Sequence, residues 1–266
     1  MPYFTTKDGC RLYYSTYSFE SSNPVALFLS GTTQTTLYWG AQIPSFSKRF
    51  RLVLYDARGQ GQSDLGSGDL HLQLHVNDLK ALLECLQVEK AHLIGISHGA
   101  RVALAFTEAF PRMVDHLVLC SMGMKTNERS KVVVRSWLEI LRVAGLEAMA
   151  WAALPVVFGE RFLQQQHGML NNIVKAIVKR NNRQALIAQL EAVLRYRSLT
   201  SKRDNWYPPT LVISGADDPL VETNDVRNLA DHYRGRHEEL SRIGHSIPAE
   251  APSRFEKLVL EFLSTT

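Results

Sequence analysis

Short apolar runs alternate along this chain with longer segments of helical periodicity. The runs are rich in β-branched and aromatic residues and read RLYYSTYS, VALFLS, RLVLYD, AHLIGI, HLVLCS and TLVISG. After the third run, apolar residues recur at a spacing that places them on one helix face: Leu72, Val76, Leu79, Leu83 and Leu86. Strands that are apolar throughout have no solvated side, so this pattern predicts an α/β fold with a mostly parallel central sheet flanked by helices. The Asp8-Gly9 pair predicts a hairpin at the N-terminal edge.

The alternation of strands and helices stops in the second half of the chain. From Thr126 to Asn205 only helical periodicity is visible, in stretches such as VVVRSWLEILRVAGLEAMAWAAL and NNIVKAIVKRNNRQALIAQLEAVLRYR. The strand pattern resumes after Pro208-Pro209 with TLVISG. We therefore expect a core formed by residues 1–125 and 206–266, into which a helical cap of residues 126–205 is inserted.

Composition, charge and cysteine content exclude several classes of protein. The 266 residues are 45% apolar, and 30 basic against 26 acidic side chains give a net charge of only +4, which is too small to indicate a nucleic-acid partner. The N-terminus lacks the charged and apolar regions of a signal peptide, and no apolar stretch reaches the roughly 18 residues of a membrane span. The cysteines Cys10, Cys85 and Cys120 are odd in number and unpaired in spacing, which argues against disulfides and zinc. We expect a cytoplasmic protein without a membrane span, a metal or a cofactor.

A serine lies between two glycines at the point where a buried strand meets a helix. The motif is Gly95-Ile96-Ser97-His98-Gly99, preceded by AHLI and followed by an alanine- and valine-rich stretch. A side chain on such a sharp turn needs small residues two positions to either side, and the helix N-terminus offers free N–H groups to a developing oxyanion. The motif predicts a nucleophile at Ser97 and an oxyanion donor at the backbone N–H of His98. A chance occurrence in an ordinary strand-to-helix turn is the alternative.

A nucleophilic serine needs a base and an acid, and both residue types follow later in the chain. Asp217 and Asp218 come directly after the strand-like run TLVISG, at the sheet edge where catalytic groups gather in α/β proteins. His245 lies in a loop before a helix that is expected to start near Pro252. His245 is the candidate base and one of the two aspartates the candidate acid, although a loop histidine is often only a surface residue.

The order of these residues and two flanking motifs resemble the α/β-hydrolase family. The motifs are GHSIPAEAPSRFEKLVLEFL near the C-terminus and YDARGQGQSD, which is similar to the family's Asp-x-Arg-Gly-x-Gly-x-Ser loop. The resemblance covers nearly the whole chain and is weakest in the cap. It implies a catalytic triad of Ser97, Asp218 and His245, because the acid commonly stands three positions after the glycine, here Gly215.

The same resemblance implies a second oxyanion donor after VALFLS. The family's loop usually begins His-Gly, whereas this chain has Ser30-Gly31, and Thr32 is the position whose N–H would be the donor. Some members place the acid one strand earlier, but this chain has Ser121, Met122 and Gly123 there.

Two histidines, His71 and His75, stand four residues apart, which is also metal-ligand spacing on a helix. No further ligands accompany them, so solvent exposure is the interpretation that we favour.

The cap supplies an apolar surface that packs its own helices and roofs the site: Leu138, Leu141, Leu146, Met149, Trp151, Leu154, Val157 and Phe158. Its second half is basic: Lys175, Lys179, Arg180, Arg183, Arg195, Arg197, Lys202 and Arg203. A solvated helix face explains these charges, and attraction of a coenzyme A phosphate or of an acidic acyl carrier protein is the alternative.

The leading hypothesis is a serine hydrolase that cleaves a carboxylic ester or thioester of a small apolar acyl substrate through an acyl-enzyme on Ser97. The alternatives are an acyltransferase that uses the same triad and a non-catalytic ligand sensor on the same fold.

Overall fold

In the computed structural model, which describes residues 2–66, 69–196 and 207–264, eight strands form one sheet. In chain order they are β1 (Tyr3–Thr5), β2 (Arg11–Tyr17), β3 (Val25–Leu29), β4 (Arg51–Tyr55), β5 (Ala91–Ile96), β6 (Val114–Cys120), β7 (Thr210–Gly215) and β8 (Arg236–Leu240). The order across the sheet is β1-β2-β4-β3-β5-β6-β7-β8. The first two pairings, β1 with β2 and β2 with β4, are antiparallel, and the others are parallel. The predicted α/β class and mostly parallel sheet are thus confirmed, and the Asp8-Gly9 pair lies between β1 and β2.

Ten α-helices accompany the sheet within the described residues. They are α1 (Ile43–Phe46), α2 (Leu72–Cys85), α3 (His98–Ala109), α4 (Glu128–Val157), α5 (Glu160–Gln165), α6 (Leu170–Arg180), α7 (Arg183–Arg195), α8 (Thr223–His232), α9 (Ile247–Glu250) and α10 (Pro252–Leu263). Short 3-10 turns occur at Thr36–Trp39, Pro111–Met113 and His167–Met169. The helices α4 to α7 all lie between β6 and β7 in the chain, in the segment where the sequence predicts the cap.

Successive side chains of each parallel strand point to opposite faces of the sheet, and because both sets are buried the sheet has an apolar layer on each face. In β3, Leu27 and Leu29 pack on the side of α2, α3 and α8, whereas Phe28 packs on the other side with α1 and α10. β5 is buried along its whole length. This two-sided burial holds the carboxyl ends of the parallel strands in a fixed relation to one another, and the candidate site lies at that edge.

The longest helix, α4, is a candidate membrane span by length and composition alone. Its helical backbone is interrupted at Gly145, which has φ +85° and ψ −175°. The two parts, residues 128–144 and 146–157, are each shorter than the roughly 20 residues that cross a bilayer. Leu138, Leu141 and Met149 pack against Leu186 and Leu190 of α7. Part of the apolar surface of α4 is therefore engaged by its neighbours within the helical segment.

Candidate active site

Ser97 occupies a strained turn between β5 and α3. Its backbone has φ +53° and ψ −116°, a region that residues with a side chain rarely adopt. The turn is held from both sides, since the Ser97 N–H donates to the Cys120 carbonyl at 2.9 Å and the Ser97 carbonyl accepts from the Arg101 N–H at 3.0 Å. The fold thus holds the serine at the carboxyl edge of the sheet, where it helps to line a cavity.

The two glycines of the motif allow the turn because other backbone segments approach them closely. A Cβ on Gly95 would lie 2.6 Å from the Ala100 Cα, and one on Gly99 would lie 2.2 Å from the Leu29 carbonyl oxygen. Both clashes involve backbone atoms, which cannot move aside without displacing a strand or a helix. The glycines are therefore steric requirements of the turn that presents Ser97.

Asp218 and His245 form a buried pair at the same edge of the sheet. Asp218 Oδ2 lies 2.7 Å from His245 Nδ1, and the two side chains are 0% and 9% exposed. The other carboxylate oxygen accepts the Leu220 N–H at 2.8 Å, which fixes its orientation. Asp217, the alternative acid, is exposed, and its backbone N–H donates to the Ile243 carbonyl. The structure therefore brings Asp218, and not its neighbour, to the imidazole.

The environment of His245 favours its charged form. Burial acts to lower the pKa of the imidazole, but the Asp218 carboxylate and, more weakly, Glu250 oppose it, so that the pKa lies above its ordinary value. His245 and Ser97 line the same cavity. No hydrogen bond joins these two side chains in the described structure, and such bonds often tighten only when substrate binds.

The loop that carries His245 is held by two side chains from other elements. The Ser121 hydroxyl donates to the His245 carbonyl at 2.6 Å. The Glu250 carboxylate accepts the N–H groups of Gly244 at 2.9 Å, Ser246 at 3.1 Å and Gly159 at 3.0 Å. Since Gly159 follows α4, one carboxylate ties the histidine loop to the helical segment between β6 and β7.

The two N–H groups expected to bind an oxyanion both belong to residues that line the cavity, Thr32 and His98. Among the described residues, no group accepts a hydrogen bond from either backbone N–H. The loop around Thr32 is fixed by its neighbours: Gly31 N–H donates to Gln34 Oε1 at 2.8 Å, and Gln60 Nε2 donates to the Gly31 carbonyl at 3.0 Å. Both N–H groups are thus positioned without a protein partner.

The side chain of His98 belongs to an aromatic cluster with Tyr196 and His75. Its Nε2 lies 3.2 Å from the Tyr196 hydroxyl, and its ring packs edge-on against His75 at a centroid distance of 5.0 Å. Burial, with a contribution from Arg101, lowers the pKa of His98 to about 4. Such a ring is a weak base, and its Nε2 is already in contact with the Tyr196 hydroxyl.

The cavity in front of Ser97 has a volume of about 460 Å³ and is lined largely by apolar residues of the helical segment. Of the apolar residues proposed to roof the site, Met149, Leu154, Val157 and Phe158 line it. Leu138 and Leu141 pack inside the helical segment instead, with Leu146 beside them, and Trp151 is 40% exposed. A cavity of this kind accommodates a small ligand with an apolar part.

The basic residues of the helical segment are only partly associated with the cavity. Arg180 lines it, Arg183 donates to the carbonyls of Leu141 and Arg142, and Arg195 donates to the Leu70 carbonyl. Lys175 and Lys179 are exposed. Arg197, Lys202 and Arg203 lie outside the described residues, as does the predicted end of the cap at Asn205.

The histidine pair His71 and His75 gathers no metal ligands. The described residues contain no group of three or more His, Cys, Asp or Glu side chains arranged to hold a metal ion. His71 caps α2, its Nδ1 accepting the Leu74 N–H at 3.1 Å. The expectation that both rings are exposed is wrong for His75, which is 2% exposed because it packs beneath His98.

Comparison with known proteins identifies the fold that carries this site. A family model described as the alpha/beta hydrolase fold matches residues 24–143. The crystal structure of MGS-M2, an alpha/beta hydrolase enzyme from a Medee basin deep-sea metagenome library, superposes with a TM-score of 0.90 at 26% identity, covering 100% of this chain and 98% of that one. The chain has the α/β-hydrolase fold. The family resemblance inferred from the sequence is thereby confirmed.

Two curated relatives match this α/β hydrolase along almost its whole length. A protein of Caulobacter sp. (strain K31) that carries the name of a carbamate hydrolase, RutD, is 27% identical over 263 residues, or 97% of each chain. The 3-oxoadipate enol-lactonase 2 of Acinetobacter baylyi is 24% identical over 264 residues, again 97% of each chain. Both names describe hydrolases.

Sequence reasoning missed two residues of this α/β hydrolase site. Glu250 lies within the quoted C-terminal motif, but nothing in the motif indicates that its carboxylate binds three backbone N–H groups. Arg101 also lines the cavity. A sequence signal was available for it, because residues four apart on a helix share a face and Arg101 follows Ser97 by four positions.

Proposed function

We propose that this chain is a serine hydrolase that cleaves a carboxylic ester, lactone or thioester of a small acyl substrate through an acyl-enzyme on Ser97. The observation that carries the proposal is the convergence on one cavity of a strained serine, two N–H groups without protein partners and a buried Asp218–His245 pair. Each of these features has a cost in stability, and together they match the requirements of acyl transfer to serine. The similarity of the whole chain to proteins named as hydrolases supports the same conclusion.

In the proposed reaction, His245 Nε2 takes the proton of the Ser97 hydroxyl as the oxygen attacks the substrate carbonyl. The oxyanion that forms is stabilised by the N–H groups of Thr32 and His98. The imidazolium then gives its proton to the leaving group, which leaves an ester on Ser97, and a water molecule activated by His245 hydrolyses that ester. Asp218 keeps the proton of the imidazole on Nδ1 and stabilises the positive charge.

The apolar lining of the cavity favours a substrate with an apolar part, bound under the helical segment of residues 128–195. The names of the two curated relatives support carbonyl substrates with a heteroatom leaving group, since a carbamate and an enol lactone both have one. No separate cofactor enters the proposed chemistry.

The test combines a covalent label with turnover. A fluorophosphonate probe should label the wild-type protein at Ser97, and p-nitrophenyl esters of short and medium chain length should be hydrolysed with a burst of product as the acyl-enzyme accumulates. The Ser97→Ala variant should lose both properties, whereas Ser136→Ala, which removes an exposed serine hydroxyl of α4, should keep them.

Labelling elsewhere, or ester turnover that survives Ser97→Ala, would contradict the proposal. Tight ligand binding without labelling would favour a sensor, and turnover that requires an added thiol or alcohol would favour an acyltransferase.

A further inference from the structure

The cavity in front of Ser97 is electrostatically one-sided. Three cationic residues line it, Arg101, Lys125 and Arg180, and the described lining residues include no Asp or Glu. Lys125 and Arg180 are exposed and lie in the connection before α4 and at the end of α6. Arg101 lies on α3, one helical turn after the candidate nucleophile. The positive charge therefore extends from the solvent-exposed part of the cavity to the neighbourhood of Ser97.

Arg101 is half-buried, and its guanidinium lacks the ion-pair partner that such a group normally has. Its Nη2 donates to the Thr126 hydroxyl at 3.0 Å, while Nη1 is shielded from water and has no hydrogen-bond partner among the described residues. No ion pair of Arg101 occurs in the described structure. The acidic residue whose field reaches it, Asp225, instead accepts the Lys125 N–H at 2.9 Å.

The physical consequence is an uncompensated charge close to the reacting groups. Burial lowers the pKa of Arg101, and Asp225 and Tyr196 oppose this only in part. A buried charge without a counter-ion is unfavourable unless a ligand supplies one. A guanidinium matches the planar geometry of a carboxylate, to which it donates two parallel hydrogen bonds.

We propose that the substrate of this chain carries a carboxylate that pairs with Arg101 while its scissile carbonyl lies at Ser97. This inference rests on the proposed function and narrows its substrate class to acyl compounds with an anionic group. Lys125 and Arg180, in exposed positions, raise the local concentration of anions at the entrance. The apolar lining then binds the chain between or beside the two ends of the substrate.

The test compares matched substrates. Half-esters of glutaric, adipic and pimelic acid with p-nitrophenol carry a free carboxylate, and the corresponding amides are neutral and of nearly the same size. We expect the wild-type protein to prefer the acid of at least one chain length in kcat/KM after subtraction of spontaneous hydrolysis. Because a hydrogen bond to a charged group contributes about 1.5 to 3 kcal/mol, Arg101→Met should reduce the acid-to-amide ratio by about tenfold or more.

Two further variants separate charge at this position from general effects. Arg101→Lys retains a cation and should keep part of the preference. Arg112→Met removes one positive charge at an exposed position beyond the far end of α3 and should leave the ratio unchanged. A wild-type ratio near one, or an unchanged ratio in Arg101→Met, would overturn the inference.

The outcome can be separated from that of the proposed function. If p-nitrophenyl hexanoate is hydrolysed and Ser97 is labelled but the ratio does not depend on Arg101, only the carboxylate inference fails. If no ester is hydrolysed, the proposed function fails, and calorimetry still tests Arg101 by comparing adipate with adipamide. Should Arg101→Met not fold, inhibition of wild-type hexanoate hydrolysis by adipate must exceed inhibition by adipamide, and must weaken at high salt, or the inference is wrong.

Discussion

Replacement of Asp218 by asparagine tests the central geometry of the site. The substitution keeps the shape of a side chain that is fully buried and lies 2.7 Å from His245 Nδ1. It removes the negative charge and introduces an amide that can donate a hydrogen bond to Nδ1. The imidazole would then carry its proton on Nε2, where it cannot accept the proton of Ser97.

The size of the loss follows from the charge that His245 acquires during the reaction. Two unit charges about 4 Å apart in a medium of effective dielectric constant about 20 attract each other by about 4 kcal/mol. At about 1.4 kcal/mol for each factor of ten in rate, losing this attraction reduces kcat/KM by about 10³-fold. Most of the loss should appear in kcat, because Asp218 acts on the charge formed in the transition state and touches no substrate group.

The assay is the hydrolysis of a p-nitrophenyl ester by wild type, Asp218→Asn and the matched control Asp217→Asn. The control removes the same charge from an exposed neighbour on the same loop and should change kcat/KM by less than about twofold. If both variants lose activity equally, or if Asp218→Asn retains it, the assignment of the acid is wrong.

The pH profile provides an independent sign. His245 acts as a base only when neutral, so activity falls as the pH drops through its pKa. Since the Asp218 carboxylate outweighs burial and holds that pKa above the ordinary value, the acidic limb of wild-type kcat/KM should have its midpoint above about 6.5. In Asp218→Asn burial acts without this opposition, and the limb should move to lower pH even as the plateau falls. An acidic limb with the same midpoint in wild type and Asp218→Asn would contradict the pairing of Asp218 with His245.

Two further predictions concern the scaffold of the site. Glu250→Gln retains one acceptor oxygen and cannot accept all three backbone N–H groups. The free energy of unfolding in urea should therefore fall by about 1 to 3 kcal/mol, and kcat should decrease. The control Glu89→Gln, at an exposed site, should change neither quantity. Gly99→Ala forces a Cβ onto the Leu29 carbonyl, so the free energy of unfolding should fall by about 2 kcal/mol or more, with loss of activity. In the control Gly168→Ala the new Cβ meets no atom within 4 Å, and the thermal midpoint should stay within about 2 °C of wild type. Equal effects of the two alanine substitutions would refute the steric argument.

The strands whose side chains are fully buried could be predicted from the sequence, whereas the charged edge strand β8 could not. β3, β5 and β7 are buried along their whole length and stand out as continuous apolar runs. β8, Arg236–Leu240, is an edge strand in which only Leu240 is buried and the other residues are a histidine and three charged side chains. Charged edge strands protect a sheet from aggregation, but they remove the apolar pattern that sequence reasoning depends on.

The candidate site divides in a similar way. Ser97 could be found because its turn imposes glycines on the sequence, and His245 because it falls within a recognisable motif. The choice between Asp217 and Asp218 depended on family spacing, since both follow the same strand and differ only in which one turns inward. Neither the burial of His75 nor the three hydrogen bonds of Glu250 can be recognised from the neighbouring sequence, because each depends on elements distant in the chain.

Substrate choice is least accessible to the sequence because two different layers define the cavity. The sheet supplies Ser97, the two N–H donors and the Asp218–His245 pair, whose spacing is fixed by strands that cannot slide independently. The helical segment supplies most of the apolar lining. Periodicity does not reveal which of its side chains pack against other helices and which line the cavity: Leu138 is buried among the helices, whereas Met149, on the same helix beyond Gly145, reaches the cavity. Arg101 lies on α3, which packs against the sheet, and its Nη2 donates to the Thr126 hydroxyl shortly before α4. A charge anchored on α3 fixes the distance between the anionic group of the substrate and its scissile carbonyl at Ser97. The position of Arg101 should therefore set the chain length of the preferred half-ester, while the helical segment should set how much bulk is tolerated between its two ends.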